Sequence, residues 1–208
     1  MASEHGARLG VSQSVIREAL MRLVQQRLVL LEDNHGFRVA SVSPKDLNDL
    51  TVARELNESA AIVLSIENGG VGWESEVVAA HHRLSITPMR IDTSSPKRTD
   101  DWLAAHREFH NTLYEACDNP ILFQICESLA DRAELYRRWS LIDPASPNRD
   151  LEAEHTDLMR AVVARDANLA VKHLRNHVKK TAQIVLDNWE FHRLQEGSVG
   201  VAAQPNHN

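Results

Sequence analysis

The side chains in this sequence best spaced for chemistry are histidines. His106 and His110 stand four apart, so on a helix both imidazoles project from one face about 6 Å apart, close enough for two ligands on one divalent metal ion. His155 and His177 fall on what read as the last two helices of the chain, and an antiparallel bundle can bring them to that same face. Taken singly, each of these reads more readily as a core or surface histidine with an ordinary partner than as a ligand. His81, His82, His173 and His192 share no such spacing and read as surface residues. Arg54 offers a second chemistry. Pointing into a bundle cavity, its guanidinium would fork onto a carboxylate; the alternative is a surface ion pair with Glu58, four residues on. Tyr136 and Arg137 are candidates to line the same cavity.

The elements that must hold these groups follow from periodicity. Ile16, Ala19, Leu20, Leu23 and Val24 form one apolar stripe about 100° wide, while Gln13, Ser14, Arg17, Glu18 and Arg22 occupy the opposite face. Ser12 suits the N-cap, where its hydroxyl accepts from a first-turn amide and the exposed amides suit a phosphate. The pattern then changes to short apolar runs, Leu28 to Leu31 and Phe37 to Ala40, around Asp33-Asn34-His35-Gly36, which is hairpin-turn chemistry. Read as a recognition helix followed by a β wing, this is a partial winged helix-turn-helix with double-stranded DNA as its partner; an amphipathic helix followed by an ordinary hairpin fits the same composition equally well. Arg17 can reach a phosphate or a guanine edge, and Gln13 favours adenine.

From Ser43-Pro44-Lys45-Asp46 onward, a capping-box variant, every periodic segment reads as helix. The expected helices run over 47–67, 73–85, 100–116, 121–140, 150–165 and 167–192, separated by Asn68-Gly69-Gly70, a polar loop with Pro88 and Pro96, Asp118-Asn119-Pro120, Asp143 to Pro147, and Asp166. The fold class is therefore mostly α: a winged head over 1–42, an antiparallel all-α bundle over 43–192, and a loose tail over 193–208 that lacks periodicity from Gly197 onward.

With 208 residues and 43% apolar content, the chain can bury one small and one medium core. It has neither an apolar run of membrane-spanning length nor a signal-peptide pattern, which predicts a soluble, cytoplasmic protein without a membrane partner. Cys117 and Cys126 lack metal-binding spacing and read as buried thiols in a reducing compartment. The net charge of -6 divides unevenly: residues 1–42 net +1, and the acidic excess lies in the bundle. A weakly basic head makes few phosphate contacts, so useful DNA affinity requires a homodimer.

Gly10-Val11-Ser12-Gln13-Ser14-Val15-Ile16-Arg17-Glu18-Ala19-Leu20, Arg22-Leu23 and Gly36-Phe37-Arg38-Val39 together resemble the DNA-binding head of the GntR family of bacterial transcription regulators. The resemblance implies DNA contacts at Ser12, Gln13, Ser14, Arg17, His35 and Gly36, where the family usually has Arg in place of Gln13. The family head also includes an earlier helix beneath the recognition helix, so the head is N-terminally incomplete as written; an upstream start, a trimmed chain and a copy that has lost its DNA role all fit.

Residues 44–192 resemble the FCD effector domain of the FadR-like branch, through Arg54 with Glu58, Phe109-His110, Leu113, Asn119-Pro120, Glu154-His155, Asp166-Ala167, Ala170 and His177. Gly69-Gly70 with Trp73-Glu74 is similar to members that control glutarate and related dicarboxylate catabolism. FCD domains hold a divalent metal with one Asp and three His, and the position of that Asp is His106 here. The resemblance thus implies four histidine ligands, His106, His110, His155 and His177, a set of neutral nitrogens that favours zinc, copper or nickel over manganese, with zinc or nickel foremost. It further implies a small carboxylate effector and a transcription factor, most often a repressor. Rival readings are a ligand-binding or dimerisation module without DNA affinity, and a metal-dependent hydrolase, against which stands the lack of an obvious general base.

Overall fold

The computed structural model describes residues 11–25, 29–32, 36–39, 43–89, 96–142 and 149–199, with the side chains of 96–99, of 188–199 and of some residues near other element ends left out. His35 lies outside the described residues, as does the side chain of Arg137. The chain divides into two compact units, Met1–Ser43 and Pro44–Asn208.

In the first unit, α1 (Gln13–Gln25) leads into β1 (Val29–Glu32) and β2 (Gly36–Val39), an antiparallel hairpin in which Val29 faces Val39 and Glu32 faces Gly36. Ser12 starts the helix as its composition predicts, its Oγ accepting from the Val15 amide at 3.4 Å. Ile16 is buried on the apolar stripe, whereas Ala19 is exposed. Gly36 has φ of +84°, the left-handed region that a hairpin corner needs and that a side chain would strain.

The second unit is a bundle of α2 (Pro44–Asn68), α3 (Val71–Ile86), α4 (Pro96–Tyr114), a 3-10 turn (Glu115–Cys117), α5 (Pro120–Ile142), α6 (Leu151–Val163) and α7 (Ala167–Val199). Its chain reversals are set by local chemistry. Asn119 Oδ1 accepts from the Leu122 amide at 3.0 Å, Asp150 Oδ1 from Ala153 at 2.8 Å and Asp166 Oδ1 from Leu169 at 2.9 Å, so each opening turn has a side-chain cap. Asp46, expected as a capping carboxylate, accepts from Arg132 and Tyr136, which ties α2 to α5. The last helix differs from expectation: it continues past 192 to Val199, through Leu194, Gln195 and Glu196, which are good helix formers, and across Gly197, which costs a helix only about 1 kcal/mol. The expected tail from 193 therefore begins as helix.

Helix α2 packs on α5 and α7, and α3 on α4 and α6, around a core of Ile62, Val77, Phe109, Leu113, Leu158, Val162, Leu174 and Val178. The α2–α3 corner combines a close approach with polar ties. A Cβ on Gly69 would stand 2.2 Å from the Trp73 ring, and the indole Nε1 donates to the Thr112 carbonyl at 2.7 Å. Arg165, itself left-handed at φ 57°, donates to the carbonyls of Ile66 at 2.7 Å and Gly69 at 2.6 Å and to Glu74 at 2.8 Å, fastening that corner to the α6–α7 turn.

Candidate metal centre

The inward face of α4 reads Trp102, His106, Phe109, His110, Leu113, which is the i, i+4, i+7 stripe of an apolar helix face with imidazoles at two of its positions. His155 stands in the stripe of α6 with Leu158 and Val162, and His177 beside Val178 on α7, one turn after Leu174. Because the stripes face one core, the four histidines are buried together. Their ring centroids are 4.5 Å apart for His106 and His110, 4.9 Å for His106 and His155, 4.8 Å for His155 and His177, and 5.1 Å for His110 and His177. One nitrogen from each lies within 4.8 Å of all the others. Nitrogens coordinating a tetrahedral zinc at about 2.0–2.1 Å are some 3.4 Å apart, so a contraction of about an ångström turns this cluster into a coordination sphere. The cluster can hold a metal ion. The donor set contains no carboxylate, and four neutral imidazoles suit a borderline ion such as zinc or nickel.

A polar group behind the cluster fixes one of its rings. His177 Nδ1 is 3.0 Å from Glu154 Oε2. Arg149 donates to Glu154 through Nε at 3.1 Å and Nη2 at 2.7 Å, and Lys180 adds a contact at 3.1 Å. Burial alone would raise the Glu154 carboxyl, but the hydrogen bonds and charge of Arg149, joined by Lys180, outweigh it and hold the group below its ordinary value. An ionised carboxylate only accepts. The 3.0 Å contact therefore puts the proton of Nδ1 toward Glu154 and leaves Nε2 a lone pair for a metal, while Arg149 Nη2, a donor 3.4 Å from the same ring nitrogen, spends its hydrogens on other acceptors. Arg149 Nη2 also donates to the His177 carbonyl at 3.3 Å and to Thr181 at 3.0 Å.

His155 also opens onto a cavity of about 590 Å³, which Trp102, Leu84, Leu151, Arg149 and His81 help to line. His81 corrects an expectation. It is half-buried rather than on the surface, with Nε2 3.2 Å from Thr156 Oγ1 and its ring edge-on to Phe109 at 5.6 Å. Burial lowers its pKa, against the pull of Glu152. Neither His81 nor Arg149 carries a local pattern that separates it from a surface residue, so sequence reasoning missed both.

Arg54 is placed elsewhere. Its Nε donates to Glu58 at 2.6 Å and Nη2 reaches the other oxygen at 3.3 Å, a pair that is buried rather than exposed, with the Tyr114 hydroxyl donating to Glu58 at 2.9 Å. Arg54 and Tyr136 do come together, on a separate void of about 20 Å³, room for a single water. In the head, Ser12, Gln13, Ser14, Arg17 and Gly36 are all exposed.

Residues 49–180 match the FCD domain family. The HTH-type transcriptional repressor GlaR of Escherichia coli K12 is 34% identical over 182 residues, 86% of this chain and 82% of that protein. The HTH-type transcriptional regulator BphR of Paraburkholderia xenovorans LB400 is 33% identical over 179 residues, 86% of this chain and 73% of that one. Among solved structures, E. coli McbR/YncC has the same fold, with a TM-score of 0.73 at 21% identity over 91% of this chain and 87% of that one. A GntR family member from Pseudomonas syringae gives 0.61 at 23% identity, covering 94% and 78%. A helical bundle matched over most of its length, in a chain of which 86% aligns with named regulators, identifies this protein as a non-enzymatic transcriptional regulator of the GntR family, in the FadR-like branch that carries an FCD domain.

Proposed function

We propose that this protein is a cytoplasmic, homodimeric repressor whose hold on a palindromic operator is controlled by a small carboxylate bound at a zinc or nickel ion. The observation that carries the reading is the convergence of four buried imidazoles beside a 590 Å³ cavity. His106, His110, His155 and His177 would hold the ion, with His106 taking the place of the family's aspartate. A bound ion would supply a Lewis-acidic, doubly positive centre for the effector's carboxylate. The Arg149–Glu154 pair keeps His177 in one tautomer for that purpose. Ser12, Gln13, Ser14 and Arg17 are exposed together on the opening of α1 and would contact the operator, with His35 and Gly36 at the wing tip. Repression is the sign carried by the name of the GlaR relative. Control requires that the effector bind the DNA-competent and DNA-incompetent states with different affinity.

The test is a fluorescence-anisotropy titration of the zinc-loaded chain on the intergenic DNA upstream of its own gene, alone and with a series of carboxylates. A carboxylate-dependent loss of binding, abolished in His155→Ala, is the expected result. DNA affinity that ignores both metal and carboxylate would overturn the sensing role. Metal and carboxylate binding without DNA affinity at low salt would replace the repressor with a ligand-binding module.

A further inference from the structure

We infer that the cavity beside the histidine cluster selects an amphipathic monocarboxylate, one carboxylate on an aromatic or branched apolar body, over a short dicarboxylate. The inference rests on the proposed function, since it takes the first carboxylate to be the group held at the cluster. It concerns what the rest of the ligand meets.

Beyond His155 the walls mix the apolar Trp102, Leu84, Leu151, Pro88 and Met89 with Ser85, Thr87 and His81, whose polar atoms already bond the His82 carbonyl, the Arg83 carbonyl and Thr156, and the space, about 590 Å³, is in the range that encloses a ligand of drug size. Trp102 and Leu84 are almost fully buried, so contact with them removes apolar surface of the ligand body from water. A second carboxylate would need a cation or a set of free donors. Arg149 is the only cation among the described lining residues, and its fork is closed on Glu154, with Nη2 also serving Thr181 and the His177 carbonyl. An incoming carboxylate could take Arg149 only by releasing Glu154, and with it the partner that orients His177. The other charged lining residues, Asp150 and Glu152, are acidic, and Asp150 is already committed to capping α6. A second anion there meets like charge without a counterion. Apolar wall residues, polar ones already engaged, one cation already paired and two carboxylates at the edge therefore admit one anionic end and exclude another.

Isothermal titration of the zinc-loaded full chain with 3-phenylpropanoate and with glutarate tests this. The expected result is 3-phenylpropanoate binding at least about tenfold tighter. In Met89→Arg, a substitution at a half-exposed wall position that adds a cation, the ratio should shift toward glutarate by about tenfold. Glutarate binding as tightly as 3-phenylpropanoate to the unaltered chain would overturn the inference and leave the metal-anchored carboxylate standing. An unchanged ratio in Met89→Arg would overturn the assignment of these walls to the ligand's distal end. Binding of neither acid, to protein that retains zinc against a chelator, would overturn the metal-anchored reading itself.

Discussion

Helices α2 and α4 each bury a polar pair four residues apart, and the two pairs have come to opposite chemical ends. Arg54 and Glu58 on α2 carry opposite charges, face each other at 2.6 Å and take a third bond from Tyr114. The group is complete in itself: donors meet acceptors and the charges cancel. His106 and His110 on α4 gather two more imidazoles around them, all of one kind. Neutral imidazoles offer lone pairs and no counter-charge, so such a cluster gains most from a cation. Burial and spacing are common to both pairs; complementarity within the cluster is what separates a fastening from a site.

The largest effect that could break this contrast comes from opening the fastening. Arg54→Ala leaves Glu58 buried beside Tyr114 without its counterion and is expected to cost about 3–5 kcal/mol of stability, measured by urea unfolding of the metal-free chain. The double variant Arg54→Met, Glu58→Leu should recover most of that loss, because no uncompensated charge remains. If Arg54→Ala costs under about 1 kcal/mol, the pair is not structural, and Arg54 returns as a candidate for effector binding. His110→Ala provides the opposite arm. Its main loss is the stabilisation by saturating zinc, about 2.7 kcal/mol at a hundredfold excess over Kd.

How far each cluster could be read from the sequence differs for physical reasons. The helices of the bundle and the β hairpin follow from period and from turn residues, which are local, so they were legible. So was the His106–His110 pair. The presence of His155 and His177 in the same cluster required tertiary geometry, which only the family resemblance supplied. For Arg54 the two alternatives were visible, but the residue that closes the matter, Tyr114, lies 56 positions beyond its partner Glu58. Glu154 stood in plain view beside His155, yet its action depends on Arg149, just before α6, and on His177 and Lys180 of α7, more than twenty residues further on. Gly69 and Trp73 were read as a subfamily mark, and the bundle gives them a packing reason in the contact of the indole with the glycine.

A second, smaller effect probes the histidine cluster from behind. Glu154→Gln keeps the size of the side chain but removes the charge that holds the Nδ1 proton of His177, and removal of such an outer partner typically costs 10–100-fold in metal affinity, about 1.4–2.7 kcal/mol. Competition with a chromophoric chelator measures it directly. Glu154→Asp should retain part of the affinity. Equal zinc affinity in Glu154→Gln and the unaltered chain would show that His177 is oriented by packing alone.

The smallest expected effect tests whether the two clusters are independent, since α4 carries both His110 and Tyr114. Cys126 reports on the closed cluster: burial, then the nearby Glu58 charge, push its thiol from 9.0 up to about 12. Folding therefore disfavours the thiolate, and the rate of iodoacetamide labelling should climb about tenfold per pH unit between pH 8 and 10 instead of levelling near the ordinary value. Zinc should leave that rate unchanged to within about twofold, because nothing in the Arg54–Glu58–Tyr114 group depends on the histidines for a partner. A tenfold change on adding zinc would mean that α4 moves when the site fills, making the fastening part of the switch rather than its fixed support.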